Sequence, residues 1–539
     1  ALDWGSRGRE FESPQPDSNT TTGSPAIAGD PVAFSGQTQA SGAYHRPMTS
    51  AELSDMDALT QVAAIRDGSL SSGEAAEAAI AGAQAVDPAL NCIVHERYDR
   101  ARAEAAAADE APAAERGPLH GVPIVVKDLD GTLAGEPYWA GSNYLKRLGY
   151  VATETSILFQ RLIDAGAIII AKTNTPELGL VPSTEPTSVG PCHNPWDLDR
   201  SPGGSSGGSA AAVSAGVVAL GHAGDGGGSI RIPASNCGLV GLKPSRDLVP
   251  TYPDIDPWGG LVARLGVTRT VADTALLLDV LAGPDNLASP QVRTDRAVSY
   301  LASLDGPVGP MRIAWTTAVP GGGTIDPAVA QTVATTAELL ADAGHDVVEA
   351  TPSILTDEAF YGQVIGWFLD AFSVWVRRSV DELEALGGEP VGESDVEAHT
   401  WALRAAGGDV PAHRFAAAVD GLMRVGREVR AFLEKQPYDV LLTPVCPEVP
   451  WPLGGFGPEA DNPMAAVMRS AALVTYASPF NISGQPAISL PVAVTDGLPI
   501  GAQLVGRWGR DDQLLALGAQ LEERLGWQHR RPPTHVADL

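Results

Sequence analysis

Two glycine–serine blocks constrain this chain more than any other feature. They are Ser201-Pro-Gly-Gly-Ser205-Ser206-Gly-Gly-Ser209-Ala-Ala-Ala and Asp225-Gly-Gly-Gly-Ser229-Ile-Arg-Ile-Pro233. Glycine tolerates positive φ and lets the backbone approach other groups closely, so runs of it commit a chain to tight turns. The stretch between the blocks, Ala210 to Leu220, is small and apolar and reads as a buried helix. Two backbone-rich loops therefore flank one apolar element. Three successive glycines ahead of Ser229 can aim several N–H groups at one point, as an oxyanion hole requires.

A serine hydroxyl is a weak nucleophile and needs a base. Gly121-Val-Pro-Ile-Val-Val-Lys127 reads as a short buried strand ending in a lysine. Burial disfavours the ammonium form, so Lys127 is a candidate base. The plainer alternative is a lysine that only solvates a strand end. Other readings of the loops compete. Gly203-Gly-Ser205-Ser-Gly207 matches a G-x-S-x-G nucleophile elbow, which would pair Ser205 with a histidine in an esterase. That motif needs an apolar strand directly before it, and Trp196-Asp-Leu-Asp-Arg-Ser-Pro202 makes a poor one. A phosphate cradle would want a G-K-[ST] ending, which is missing. The glycines could also serve only as turns.

Composition narrows the function classes. The chain has 539 residues, 44% hydrophobic, with a formal net charge of −29. Such acidity argues against nucleic acid, whose phosphates need Lys and Arg, and against an anionic membrane surface. No run of about 18 apolar residues predicts a transmembrane helix. The four cysteines form no C-x-x-C pair and the ten histidines no ligand spacing. The expectation is a cytoplasmic protein without metal or cofactor, its cysteines buried thiols.

Residues 1–47, rich in Gly, Ser, Thr and Pro, read as a disordered tail or as an extension ahead of a native start at Met48. Residues 48–118 read as an N-terminal helical segment, with a helix through Leu59–Ile65 stopped by Gly68 and a second capped by Ser72. Arg100–Ala114 reads as a solvated helix. Residues 119–539 read as one α/β domain. In it we expect strands at Gly121–Lys127, Ala167–Ala171, Met311–Trp315, Val440–Leu442 and Gln485–Val494, and helices at Thr155–Ala165, Val329–Gly344 and Gln513–Leu525. Arg264–Pro284 reads as a loop followed by a helix. Residues 355–434 read as mainly helical, with Phe360, Trp367, Phe368, Phe372 and Trp375 as either pocket wall or core. Alternating strands and helices predict an α/β architecture.

At these blocks the sequence resembles the amidase signature family. The resemblance rests on Gly203–Ala212, on Asp225 through Pro244, on Gly121–Asp128 and on Ala171-Lys-Thr-Asn-Thr-Pro-Glu177. It continues in Pro479-Phe-Asn-Ile-Ser-Gly-Gln-Pro-Ala-Ile-Ser-Leu-Pro491 and Gly497-Leu-Pro-Ile-Gly-Ala-Gln503, and spans about residues 50–530. It implies a large mixed β-sheet flanked by helices on both sides. It also implies a Ser–cis-Ser–Lys triad: Ser229 as nucleophile, Ser205 as bridging serine in a cis peptide after Gly204, and Lys127 as base. The N–H groups of Gly226, Gly227, Gly228 and Ser229 would hold the oxyanion. Ser206, Asp225 and Arg231 would fix the loop.

Gly226 stands where the family commonly has a bulkier residue, which would loosen the loop or make room beside the substrate. Within the family the resemblance is greatest to 6-aminohexanoate-cyclic-dimer hydrolases and related broad-specificity bacterial amidases. That subgroup has a cysteine near the pocket where this chain reads Phe368-Leu-Asp-Ala371. The run after Lys243-Pro-Ser departs from that of the glutamyl-tRNA amidotransferase subunit. The resemblance thus implies a cofactor-free monomer or homodimer that cleaves small hydrophobic amides, anilides or carbamates, with accompanying esterase activity. A non-catalytic assembly subunit is the alternative outside enzymes.

Overall fold

The computed structural model describes residues 48–284, 299–456 and 462–538. The reading of residues 1–47 lies outside them. All of the described residues belong to one compact unit, Pro47–Leu539.

Near the N-terminus the helices form where capping chemistry and small residues meet. Asp57 caps Ala58–Asp67, and Gly68 closes it in the left-handed region at φ 81°. The next helix, Ser72–Leu90, is capped by Ser71 rather than Ser72. Ser71 accepts from the Glu74 N–H while Glu74 reaches back to the Ser71 backbone, a reciprocal pair that fixes the start one residue earlier than expected. These helices share their apolar core with the sheet.

Among the described residues, eleven strands form a single sheet. In chain order they are β1 (Ile93–Glu96), β2 (Pro123–Lys127), β3 (Ile168–Thr173), β4 (Leu220–Asp225), β5 (Val240–Lys243), β6 (Ala263–Thr268), β7 (Arg312–Trp315), β8 (Asp346–Glu349), β9 (Val440–Pro444), β10 (Ala487–Thr495) and β11 (Leu498–Gly506). Their spatial order is β1-β3-β2-β4-β6-β5-β10-β11-β9-β7-β8. β3, β2 and β4 run parallel, as do β9, β7 and β8, and antiparallel pairs join the two groups. The sheet is therefore mixed, and the fold is α/β.

Neighbouring residues of a strand face opposite sides of the sheet. On β10, Ser489 lies with Ser235 of helix Arg231–Cys237 around Gly501, while Leu490 packs beside Gly518 of helix Asp511–Leu525. Helices thus cover both faces. Central strands buried on both faces read as continuous apolar runs, which is why β2 and β3 were recognisable.

Two expectations are corrected. The stretch from Arg264, expected as a loop, is the buried strand β6, with the helix confined to Val271–Leu281. The apolar helix expected over Ala210–Leu220 occupies Gly207–Ser214, and the chain then enters β4. No helix of the described residues is long and apolar enough to cross a membrane.

Candidate active site

The site lies at the C-terminal ends of two adjacent parallel strands, a position where loops converge over an open sheet edge. β2 ends in Lys127 and β4 ends in Asp225. Ser205 precedes the helix that feeds β4, and Ser229 lies in the turn between β4 and helix Arg231–Cys237. The topology gathers residues that the sequence keeps far apart.

The Lys127 side chain is 1% exposed. Its Nζ donates to Ser205 Oγ at 2.8 Å and to Asp130 Oδ2 at 2.7 Å. Burial holds its pKa below the ordinary lysine value; Asp130 opposes that shift and Arg264 adds to it. The Gly204–Ser205 peptide is cis. Ser229 and Ser205 line one cavity with Lys127.

Asp225 organises the turn that carries Ser229. Its Oδ1 accepts from the Gly228 N–H at 2.7 Å, and its Oδ2 from the Ile230 N–H at 3.1 Å. Arg231, fully buried, donates to both of its oxygens at 2.9 Å. Burial works to raise the Asp225 pKa, but Arg231 overcomes it and holds the carboxyl well below the usual range. Arg231 also reaches Asn481 Oδ1 and Gln503 Oε1, and Asn481 Nδ2 donates back to the Asp225 carbonyl at 2.8 Å. Ser206 Oγ lies 3.3 Å from both the N–H and the carbonyl of Gly224. Asp225 and Arg231 thus hold the turn that carries Ser229, while Ser206 holds the end of β4.

Of the four N–H groups expected to hold the oxyanion, one has a partner within the chain. The Gly228 N–H is committed to Asp225, a consequence of the carboxylate folding back over its own turn. Those of Gly226, Gly227 and Ser229 donate to no protein group among the described residues. A β-carbon at Gly227 would meet nothing within 4 Å, so Gly227 faces open space, whereas Gly226 lies against Trp258 and Gly228 against Ile232.

Two cavities meet at Ser229. One, of about 320 Å³, is polar and includes Lys127, Asp130, Ser205 and Arg264. The other, of about 170 Å³, is apolar and includes Leu180, Val364, Phe368, Phe372 and Ile482. Trp258 and Gly179 border both. Of the aromatic residues expected as wall or core, Phe368 and Phe372 line the apolar cavity and Trp375 the polar one. Phe360 and Trp367 instead pack against the apolar core that includes Leu422, Val429 and Leu433.

The elbow reading finds no support in the local geometry. No strand runs directly into Ser205, and none of the hydrogen bonds among the described residues joins it to a histidine. Asp130, Trp258, Asn481 and Gln503 had no assigned role in the sequence reading. Asp130 carried one available signal, an acid three residues beyond the lysine. The four cysteines are free and buried.

Comparison with known proteins identifies the family. The amidase family model matches residues 74–515. The 6-aminohexanoate-cyclic-dimer hydrolase of Paenarthrobacter ureafaciens is 36% identical over 489 residues, 88% of this chain and 96% of that protein. The acylamidase of Rhodococcus erythropolis is 35% identical over 498 residues, 90% of this chain and 98% of that protein. The solved structure of 6-aminohexanoate cyclic dimer hydrolase complexed with substrate has a TM-score of 0.84 at 35% identity, covering 89% of this chain and 99% of that one. A bacterial aryl acylamidase has a TM-score of 0.78 at 26% identity, covering 90% and 98%. The chain therefore belongs to the amidase signature family and is a hydrolase of amide bonds.

Proposed function

We propose that the chain cleaves small amides, anilides or carbamates with an apolar acyl portion, through an acyl-enzyme on Ser229. The observation that carries this reading is the 2.8 Å contact between the buried Lys127 amine and Ser205 Oγ, beside Ser229 in one cavity. Neutral Lys127 takes the Ser205 proton as Ser205 takes that of Ser229. Ser229 Oγ then bonds to the carbonyl carbon, and the carbonyl electron pair moves onto oxygen. The N–H groups of Gly226, Gly227 and Ser229 face that oxygen. The same relay returns a proton to the leaving nitrogen, without which an amide anion would have to depart. Water repeats the sequence to release the acid, and matched esters enter the same path.

The relay also orients the substrate. The leaving nitrogen must lie toward Ser205 and Lys127, hence in the polar cavity. The acyl part then falls in the apolar one, where burial of hydrocarbon favours binding.

Ser229→Ala and Lys127→Ala should each lower kcat/KM by about a thousandfold or more while leaving the fold intact. The measurement is hydrolysis of anilides, linear amides, cyclic amides and aryl carbamates beside matched esters. In the unaltered protein kcat/KM should rise with pH as Lys127 loses its proton, since only the amine is a base. Activity that survives Ser229→Ala, or a profile flat from about pH 6 to 9, would sink the reading.

A further inference from the structure

We propose that Asp130 is a positioning residue of the proton relay: it aims the Lys127 amine at Ser205 and holds the ammonium that forms when Lys127 takes the proton. This rests on the reading of Lys127 as the base. The Lys127 nitrogen sits between two oxygens, Ser205 Oγ at 2.8 Å and Asp130 Oδ2 at 2.7 Å. A primary amine on a four-carbon stem has many rotamers, and one hydrogen bond to a serine does not select among them. The second contact does, and it comes from the loop directly after β2.

The surroundings leave this carboxylate to the lysine. On β4, Asp225 is bound by Arg231, and His222, pushed down to about 3 by burial, stays neutral. On β6, Arg264 donates to the Thr251 carbonyl and pairs with Asp254, so it reaches Asp130 Oδ1 only at 3.9 Å. Tyr138, on the remaining side, is pushed up by burial and stays neutral. The chain also keeps space for the carboxylate. A β-carbon at Gly224 would lie 2.2 Å from Asp130 Oδ2, so only a glycine on β4 admits the side chain where it stands.

Charge completes the argument. Before the transfer the pair is a neutral amine beside an anion; after it, an ammonium beside that anion. The proton from Ser205 thus turns a buried carboxylate, offset until then only by the more distant Arg264, into a directly hydrogen-bonded ion pair, which a low-dielectric site favours. When the proton returns to the leaving nitrogen, the pair resets.

The test uses the full chain and a fluorophosphonate probe, with the labelling rate constant of Ser229 followed against pH. The carboxylate favours the ammonium, so Asp130→Asn should move the acid limb down by about one to two pH units. Its plateau should fall by about tenfold or more, because a less basic and less restrained amine accepts the proton less readily. Asp130→Ala, which removes the carboxylate without adding bulk, should shift the limb in the same direction. A merely structural role would lower the active fraction without moving the limb. Limb and plateau unchanged in both variants overturn the proposal, provided Ser229→Ala and Lys127→Ala abolish labelling. Labelling that persists in Ser229→Ala overturns the triad reading itself.

Discussion

Where Gly226 leaves the backbone bare, Trp258 fills the space, since a β-carbon there would come within 2.9 Å of the indole. The room expected at this glycine is therefore occupied by the chain's own side chain. Trp258 meets Phe372 edge-on at 5.1 Å and, with Gly179, Gly226 and Ser229, borders both cavities. Trp258→Ala should merge them and reduce discrimination between small and bulky acyl groups by about tenfold, the range that shape alone commands in an apolar pocket. The ratio of kcat/KM values for acetyl and phenylacetyl anilides reads this, and an unchanged ratio would remove Trp258 from the specificity argument. Lys127 and Ser229 stood out as candidates because a buried strand end and a run of glycine mark themselves locally, whereas the place of Ser205 between them came only through the family resemblance. Trp258 did not stand out, because its partner Gly226 meets it only through the tertiary fold.

Helix Ala398–Asp409 is tied to the loop under the site by two acids that share one buried space. Glu177 accepts from the Glu397 N–H at 2.8 Å and from Thr400 Oγ1 at 2.6 Å, while Glu397 accepts from the Thr187 N–H at 2.9 Å. Burial, and then the neighbouring Glu397, raises the Glu177 pKa to about 8. The folded chain therefore keeps a proton there that the unfolded chain releases above about pH 4.3. Between those values the native state binds more protons than the unfolded one, so stability falls as pH rises, and the slope ends near pH 8. Glu177→Gln keeps the shape and removes the titration. Its melting temperature should decline less than that of the parent between pH 5 and 8, as scanning calorimetry can measure. Parallel declines would show that Glu177 does not hold the proton.

Continuous apolar runs, as in β2 and β3, and a simple helical period, as in helix Pro327–Asp342, were readable. β4, written Leu-Gly-His-Ala-Gly-Asp, and β6, which carries Arg264, were not. Their residues are poor strand formers, and they extend because neighbouring strands and the ion pairs of the site hold them so.

Across the whole molecule, the alternation of helices and strands made an α/β fold legible, but strand order was not, since no local pattern records which distant strands pair. The order has β10 against β5 and β11 against β9, so the last hairpin joins the two groups of strands. For a chain emerging from the ribosome this sets a schedule. β5 is made in the first half of the chain and β9 well after it, yet each keeps one open edge until Ala487–Gly506 has been synthesised. Open edges are templates for pairing with other chains. A chain ended at Gly484 should therefore pellet as aggregate on expression, and a soluble, cooperatively melting product would contradict this. The growing chain must carry the β5 edge from residue 243 to residue 487 and the β9 edge from residue 444 to residue 498, so its yield should depend on how quickly its final residues follow, or on what shields those edges meanwhile.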